Sequence, residues 1–253
     1  MRAVIAAPLI AAPLLFLCTA ARPNSGPIQP VFRLADFPTP LRIDNWFLPM
    51  KAGTRIVAHE LEDGECKVND VVVTDLVKHD FRGAYAGIAA RAVFDRVWSD
   101  PKCDGTRHLL LENTTDWYGQ DKHGNVWYFG EATAEYTYDR NGHRIDADTE
   151  GSWEAGRDGA LAGIVMLAES VPGVFYRQEY LPGEAEDSAR VEKVNIRVST
   201  ALGNFTGCLE TRETTTLAPG DIEYKYYCPN VGVVRVVAPS AEGGAETVTL
   251  ALR

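Results

Sequence analysis

The stretch Asp116–Glu131, DWYGQDKHGNVWYFGE, decides the fold. Trp117 and Tyr118 precede its polar centre, and Trp127, Tyr128 and Phe129 follow it. A calcium loop needs oxygen ligands at alternate positions, and here Lys122 and His123 stand among them. Asp121 can instead fold back on its own backbone while Gly124 supplies a positive φ, which makes the centre a turn. Two aromatic strands then meet across it, each cross-strand contact adding ~0.2–1 kcal/mol. The stretch is therefore expected to be framework and not a metal loop.

The same grammar runs along the chain in both directions. Short runs rich in Val, Ile, Thr, Tyr and Trp alternate at period two and are broken by Asp-Gly, Asn-Gly and Pro-Gly. Strands are expected near 54–61, 67–77, 83–98, 107–120, 125–130, 134–139, 173–180, 189–200, 204–216, 222–228, 232–238 and 246–252. Eleven or twelve strands with short links imply an all-β fold. Its expected form is a large, mostly antiparallel curved sheet or half-open barrel with a glycine-rich crossover. Within 83–98, Ile88, Ala90, Ala92, Phe94 and Trp98 share one face at period two, which favours a strand over an Ala-rich helix.

The N-terminus reads MRAVIAAPLIAAPLLFLCTAARPNSGP. A positive Arg2, an apolar run interrupted by Pro8 and Pro13, and the small residues Thr19-Ala20-Ala21 form a cleavable export signal over residues 1–21. The run is short of the ~20 residues that span a bilayer. Leu17, a large residue, precedes Cys18, which argues against lipid attachment there. Residues 22–45, rich in proline, are expected as an extended lead outside the folded core, and 46–253 as a single β domain. The protein is thus expected to be secreted or periplasmic. The formal charge is −10, and loss of Arg2 with the leader makes it one unit more negative. Such acidity repels phosphate backbones and excludes nucleic acid as a natural partner.

Beyond Cys18, four cysteines remain: Cys66, Cys103, Cys208 and Cys228. Their wide spacing suits disulfides better than a zinc site, and an exported chain favours the oxidised form. In a meander, the turn at Asp63-Gly64 and the loop 99–105 lie at one end of the sheet, which brings Cys66 to Cys103. A hairpin centred on Ala218 sets Cys208 opposite Cys228 but also Glu213 opposite Glu223. Slipping by one residue pairs Glu210 with Lys225 and Arg212 with Glu223, at the expense of the cysteine opposition. Pairings 66–103 and 208–228 are expected.

The motifs DWYGQDKHGNVWYFGE, EGSWEAGRDGALAGIVM, FYRQEYLPGEAEDSARV and EYKYYCPNVGVV, in that order, resemble a family of uncharacterised secreted bacterial proteins. The resemblance runs from Trp46 almost to the C-terminus and implies export, but no activity. A more distant analogy is to lipoprotein-carrier (LolA-like) folds, whose curved sheets enclose an apolar ligand.

Candidate chemistry is sparse. The histidines at 59, 79, 108, 123 and 143 are scattered, and no nucleophile elbow or phosphate loop occurs. No metal, cofactor or catalytic residue is expected. Carboxylates crowd the aromatic segment and the residues after it, at Glu131, Glu150, Glu154, Asp158, Glu179, Glu184, Glu186 and Asp187. Two of them across a tryptophan-lined cleft would suit a glycoside hydrolase acting on surface polysaccharide, the enzyme alternative. A structural or interaction protein of the cell envelope is the third class. The leading expectation is a binding protein that holds an apolar small molecule or lipid. Its ligand-facing residues are expected to be Trp117, Trp127, Trp153, Ile164 and Met166, with the glycine-rich segment 156–173 as crossover or lid.

Overall fold

A computed structural model describes residues 26–62, 64–239 and 245–252, the last of these by backbone alone. The expected leader and Cys18 lie outside the described residues. The chain forms one strongly curved sheet of sixteen strands among the described residues, with two short 3-10 turns and no longer helix. Every strand pairing is antiparallel. The all-β, open curved sheet read from the alternation is present.

The first meander comprises β1 (Arg55–Glu62), β2 (Glu65–Lys78), β3 (Ala90–Ser99), β4 (Leu110–Gln120) and β5 (Val126–Ala132). A second comprises β12 (Asp187–Thr200), β13 (Gly203–Thr215), β14 (Ile222–Cys228), β15 (Gly232–Pro239) and β16 (Ala245–Leu252). Pairing of β16 with β1 fuses the two into one surface. Bulges in the long strands, between Val73 and Val77 and between Val191 and Val198, bend the sheet round on itself. Its two ends are then tied by one segment. Residues Phe175–Arg177 (β10) pair with β12, and residues Glu179–Tyr180 (β11) pair with β9 (Leu161–Met166), itself the neighbour of β5. No continuous ladder crosses this seam at Gln178, so the barrel is half-open.

Several expectations are corrected here. The glycine-rich segment does not form a lid, because Leu161–Met166 is a buried strand of the sheet. Gly163 serves close approach: a Cβ there would lie 2.3 Å from the Gln178 backbone. Residues 83–89 are not strand. Gly83 and Gly87 have positive φ, and the chain turns there to drive Tyr85 and Ile88 into the core. Two further strands stand outside the expected set, β7 (Arg144–Asp148) and β8 (Trp153–Glu154). The first is wholly exposed and pairs only with β6 (Glu135–Tyr138), so no buried face imposes alternation on it.

The lead is extended, as its prolines require, but it belongs to the core. Phe37 and Ile43 are buried, and the Phe32 ring lies 4.5 Å from Tyr85 and about 6 Å from Trp127 and Phe129. The reason lies in β5, which is buried on both faces. Trp127 and Phe129 on the outer face need an apolar cover, and the lead supplies it.

Both disulfides are present, Cys66–Cys103 and Cys208–Cys228. The second hairpin takes the register that opposes Glu213 to Glu223. Lys225 relieves that repulsion, its Nζ lying 2.9 Å from Glu213 and 3.2 Å from Glu223.

The seam gives a direct test. Gly163→Ala is expected to force the Gln178 backbone away and destabilise the protein by ~1–3 kcal/mol, read from urea unfolding.

Candidate functional site

The concave face of the sheet holds a half-open cavity of about 440 Å³. Because side chains alternate along a strand, each wall strand gives it every second residue. On β2 these are Asn69, Val71 and Val73, on β3 Val93 and Asp95, and on β4 Asp116 and Tyr118. The opposite wall carries Glu213 of β13 and Glu223, Lys225 and Tyr227 of β14. The segment Leu48-Pro49-Met50 lines it from the end where β1 begins, next to Gly53, whose N–H bonds the Val73 carbonyl at 2.8 Å. One end is thus largely apolar, and the walls away from it carry charge.

The charged wall is internally braced. Glu213 accepts hydrogen bonds from Thr211 at 3.0 Å and the Tyr227 hydroxyl at 3.1 Å, besides its contact with Lys225. Burial pulls the Lys225 ammonium down, but the Glu213 and Glu223 carboxylates outweigh it and hold it well above its usual range. Across the cavity Tyr128 donates to Asp116 at 2.6 Å, and its ring stacks on Tyr118 at 4.8 Å. Burial outweighs that hydrogen bond and pushes the Asp116 carboxyl well above the usual range. Asp95, Tyr118 and Lys225 keep partial exposure although protein surrounds them densely. The surface they retain faces the cavity and not bulk water.

None of the five residues expected to meet a ligand lines this cavity. Trp127 is buried on the other face of the sheet beneath the lead, with Ile164 opposite it in the ladder, and Met166 is buried opposite Val126, while Val165 lines the cavity. Trp117 also faces outward, with the Lys78 ammonium 4.7 Å over its ring. Trp153 packs edge-on against Tyr128 at 5.2 Å, behind the cavity wall. The inward set of Val71, Val73, Val93, Asp95, Asp116 and Lys225 is the alternate residue in strands whose existence was legible, whereas Val165 lies on β9, which was not among the expected strands. Which parity faced inward was not.

The turn at residues 121–125 is framework. Asp121 accepts four hydrogen bonds of 2.8–2.9 Å, from the backbone of His123 and Asn125, the Asn125 amide and the Trp127 indole. Lys122 binds Asp36 of the lead at 2.8 Å, and Asn45 donates to the Gly124 carbonyl at 2.8 Å. Among the described residues no three His, Cys, Asp or Glu side chains are placed to hold a metal ion.

Of the carboxylates, Glu131 and Glu179 stand out. Burial, with the Glu179 charge adding to it, lifts Glu131 to about 8. Burial, with Asp187 adding, lifts Glu179 to about 8 as well. A hydrolytic pair needs one carboxyl ionised while the other keeps its proton. These two rise together, and neither lines the cavity.

No protein-family model and no curated protein matches the sequence. Two solved structures are similar in outline. One is a presumed lipoprotein from Parabacteroides distasonis, 14% identical, with a TM-score of 0.39 over 83% of this chain and 99% of that one. The other is a presumed exported protein with a YmcC-like fold from Bacteroides fragilis, 14% identical, with a TM-score of 0.37 over 82% of this chain and 97% of that one. At these scores neither likeness bears on what this chain does. No described helix is long and apolar enough to cross a membrane.

The raised carboxyls make stability depend on pH. A carboxyl whose pKa rises on folding holds a proton that the unfolded chain releases, so stability falls as pH rises. The contribution of Glu131 and Glu179 is complete below about pH 4.5 and is lost by about pH 8. Each adds a slope of up to ~1.4 kcal/mol per pH unit within that window. The double variant Glu131→Gln, Glu179→Gln is expected to flatten the decline of Tm with pH, measured by thermal denaturation across the window. An unchanged decline would remove these two groups as its cause.

Proposed function

We propose that this protein is an exported binding protein that holds a small, largely apolar ligand inside its curved sheet. The observation that carries the reading is the half-open space of about 440 Å³ within the curved sheet, lined by valine, leucine, methionine and tyrosine. That volume falls in the ~300–1,000 Å³ range of small-molecule sites, whose walls are typically apolar with a few placed polar groups. Packed interiors tolerate few voids larger than a water molecule, so a space of this size is a feature that the fold maintains. Export is supported by the residues 1–21 that read as a signal, and by two disulfides, which persist in oxidising compartments.

The test is occupancy. Native mass spectrometry of protein purified from the periplasm or medium of its host is expected to show a bound small molecule. Stripped protein is expected to take up the neutral dye Nile red with a blue-shifted, enhanced emission. Val165→Trp, which adds an indole to the inner face, is expected to weaken dye binding by about tenfold or more, since overfilling leaves no room for both. A stripped protein that gives no dye signal would overturn the reading.

A further inference from the structure

Most polar groups on the cavity wall are met from within the protein. Glu213 and Glu223 share Lys225, and Glu213 also accepts from Thr211 and Tyr227. Asp116 accepts from Tyr128, and Glu60 is engaged too. Asn69 bonds to the Asp95 carboxyl, and the oxygen each of them leaves unmet is covered from the cavity. Two groups remain. The Gln178 amide and the Tyr118 hydroxyl belong to cavity-lining residues and make no hydrogen bond with the described residues. Neither is sealed in protein as the unmet oxygens of Asn69 and Asp95 are.

The two groups lie on one row across the sheet. Val165 lines the cavity, so Gly163, two residues before it on β9, faces the same way. A Cβ on Gly163 would lie 2.3 Å from the Gln178 carbonyl, which means that the chain crosses the inner face of β9 at Gln178. Gly163 stands opposite Tyr128 in the ladder, and Tyr128 opposite Tyr118, with the two tyrosine rings stacked at 4.8 Å. Gln178 is only 7% exposed, and a polar group so deep without a partner costs ~1–3 kcal/mol. The fold supplies no partner, so it comes from whatever fills the cavity. Both groups are uncharged. An amide does not titrate, and burial, with the Asp116 charge adding to it, holds the Tyr118 hydroxyl well above its usual range. Each of them can donate and accept. The wall opposite sets Glu213 and Glu223 against the single ammonium of Lys225 and is therefore negative, while Val71, Val73 and Val93 give the space an apolar side.

We infer that the cavity selects an amphiphile with an uncharged head that both donates and accepts hydrogen bonds, a carboxamide or an alcohol, seated at Gln178 and Tyr118 with its chain along Val71, Val73 and Val93. This rests on reading the cavity as a ligand site. A carboxamide head has an N–H for the Gln178 carbonyl oxygen and an oxygen for the Gln178 N–H or the Tyr118 O–H, and a hydroxyl offers one of each. A carboxylate brings no donor and meets the negative wall. An ammonium brings no acceptor, so the Gln178 N–H and the Tyr118 O–H stay unmet.

The experiment is isothermal titration of the stripped protein at neutral pH with octanamide, octanol, octanoate and octylamine, with Nile red uptake measured beside it. Octanamide and octanol are expected to bind about tenfold more tightly than the two charged compounds. Gln178→Met keeps the length of the side chain and removes its amide. It is expected to lower the affinity for octanamide, relative to that for Nile red, by about three- to tenfold. Tyr118→Phe keeps the stacked ring and is expected to lower the same ratio by about threefold. A variant that merely loosened the fold would weaken dye and amide together and leave the ratio where it was, which would overturn the assigned seat. Octanoate or octylamine binding as tightly as octanamide would overturn the uncharged head. Dye uptake without binding of octanamide or octanol would do the same and leave the cavity reading standing. Failure of all four compounds together with absent dye uptake would sink both.

Discussion

The structure depends on one constraint, that the ribbon Val126–Gly130 is buried on both sides. Successive side chains of a strand leave in opposite directions, so Trp127 and Phe129 cannot share a cover with Tyr128. On the outer side the lead brings Phe32 and Phe37 into edge-on contact with those rings. On the inner side Tyr128 stacks on Tyr118 and meets Trp153. The path of the lead is a consequence. It must cross the sheet to reach its place, and in doing so it binds the turn at Lys122 and delivers Leu48, Pro49 and Met50 to the mouth of the cavity. The ribbon's neighbour β9 must then be apolar on its outer face too, which is where Ile164 lies, opposite Trp127.

A second constraint is electrostatic. A closed or nearly closed small barrel fills its interior with side chains, whereas this sheet leaves space and puts acids around it. Burying several carboxylates is costly, and the protein meets the cost in three ways. Glu213 and Glu223 share Lys225, Asp116 takes a hydrogen bond from Tyr128, and burial pushes Asp116, Glu131 and Glu179 towards the protonated form. Asp95 shares in none of these arrangements and keeps one oxygen unmet. The opposed glutamates also explain a choice that pairing rules left open. With Lys225 available as a bridge, the hairpin can keep the register that joins Cys208 to Cys228.

Alternation, turn dipeptides and cysteine spacing are local properties, and they were sufficient for the class of fold, most of the strands and the nature of the 121–125 turn. They failed where a local rule is overridden by a distant partner. Leu161–Met166 looked like part of a glycine-rich loop, yet its one glycine, Gly163, lets the backbone of Gln178 pass close. Residues 26–45 looked like a linker because proline-rich composition reports backbone stiffness and not what the intervening phenylalanines cover. Arg144–Asp148, RIDAD, alternates over only five residues and is wholly exposed, so the run was too short to stand out and has no face to bury.

The amino-acid order by itself therefore determined that this chain is acidic, carries an export-like leader, and folds as a pleated sheet with an aromatic hairpin at its centre. Tertiary structure alone decided which face of that sheet became the inside. None of the five aromatic and aliphatic residues whose chemistry suits a ligand lines the cavity, whereas Asp116 and Tyr118 beside Trp117, and Val165 beside Ile164, do. The physical reason is the period of two. Shifting attention by one residue exchanges the two faces of every strand, and the direction of curvature, set by bulges and by where the lead docks, is recorded in no single strand.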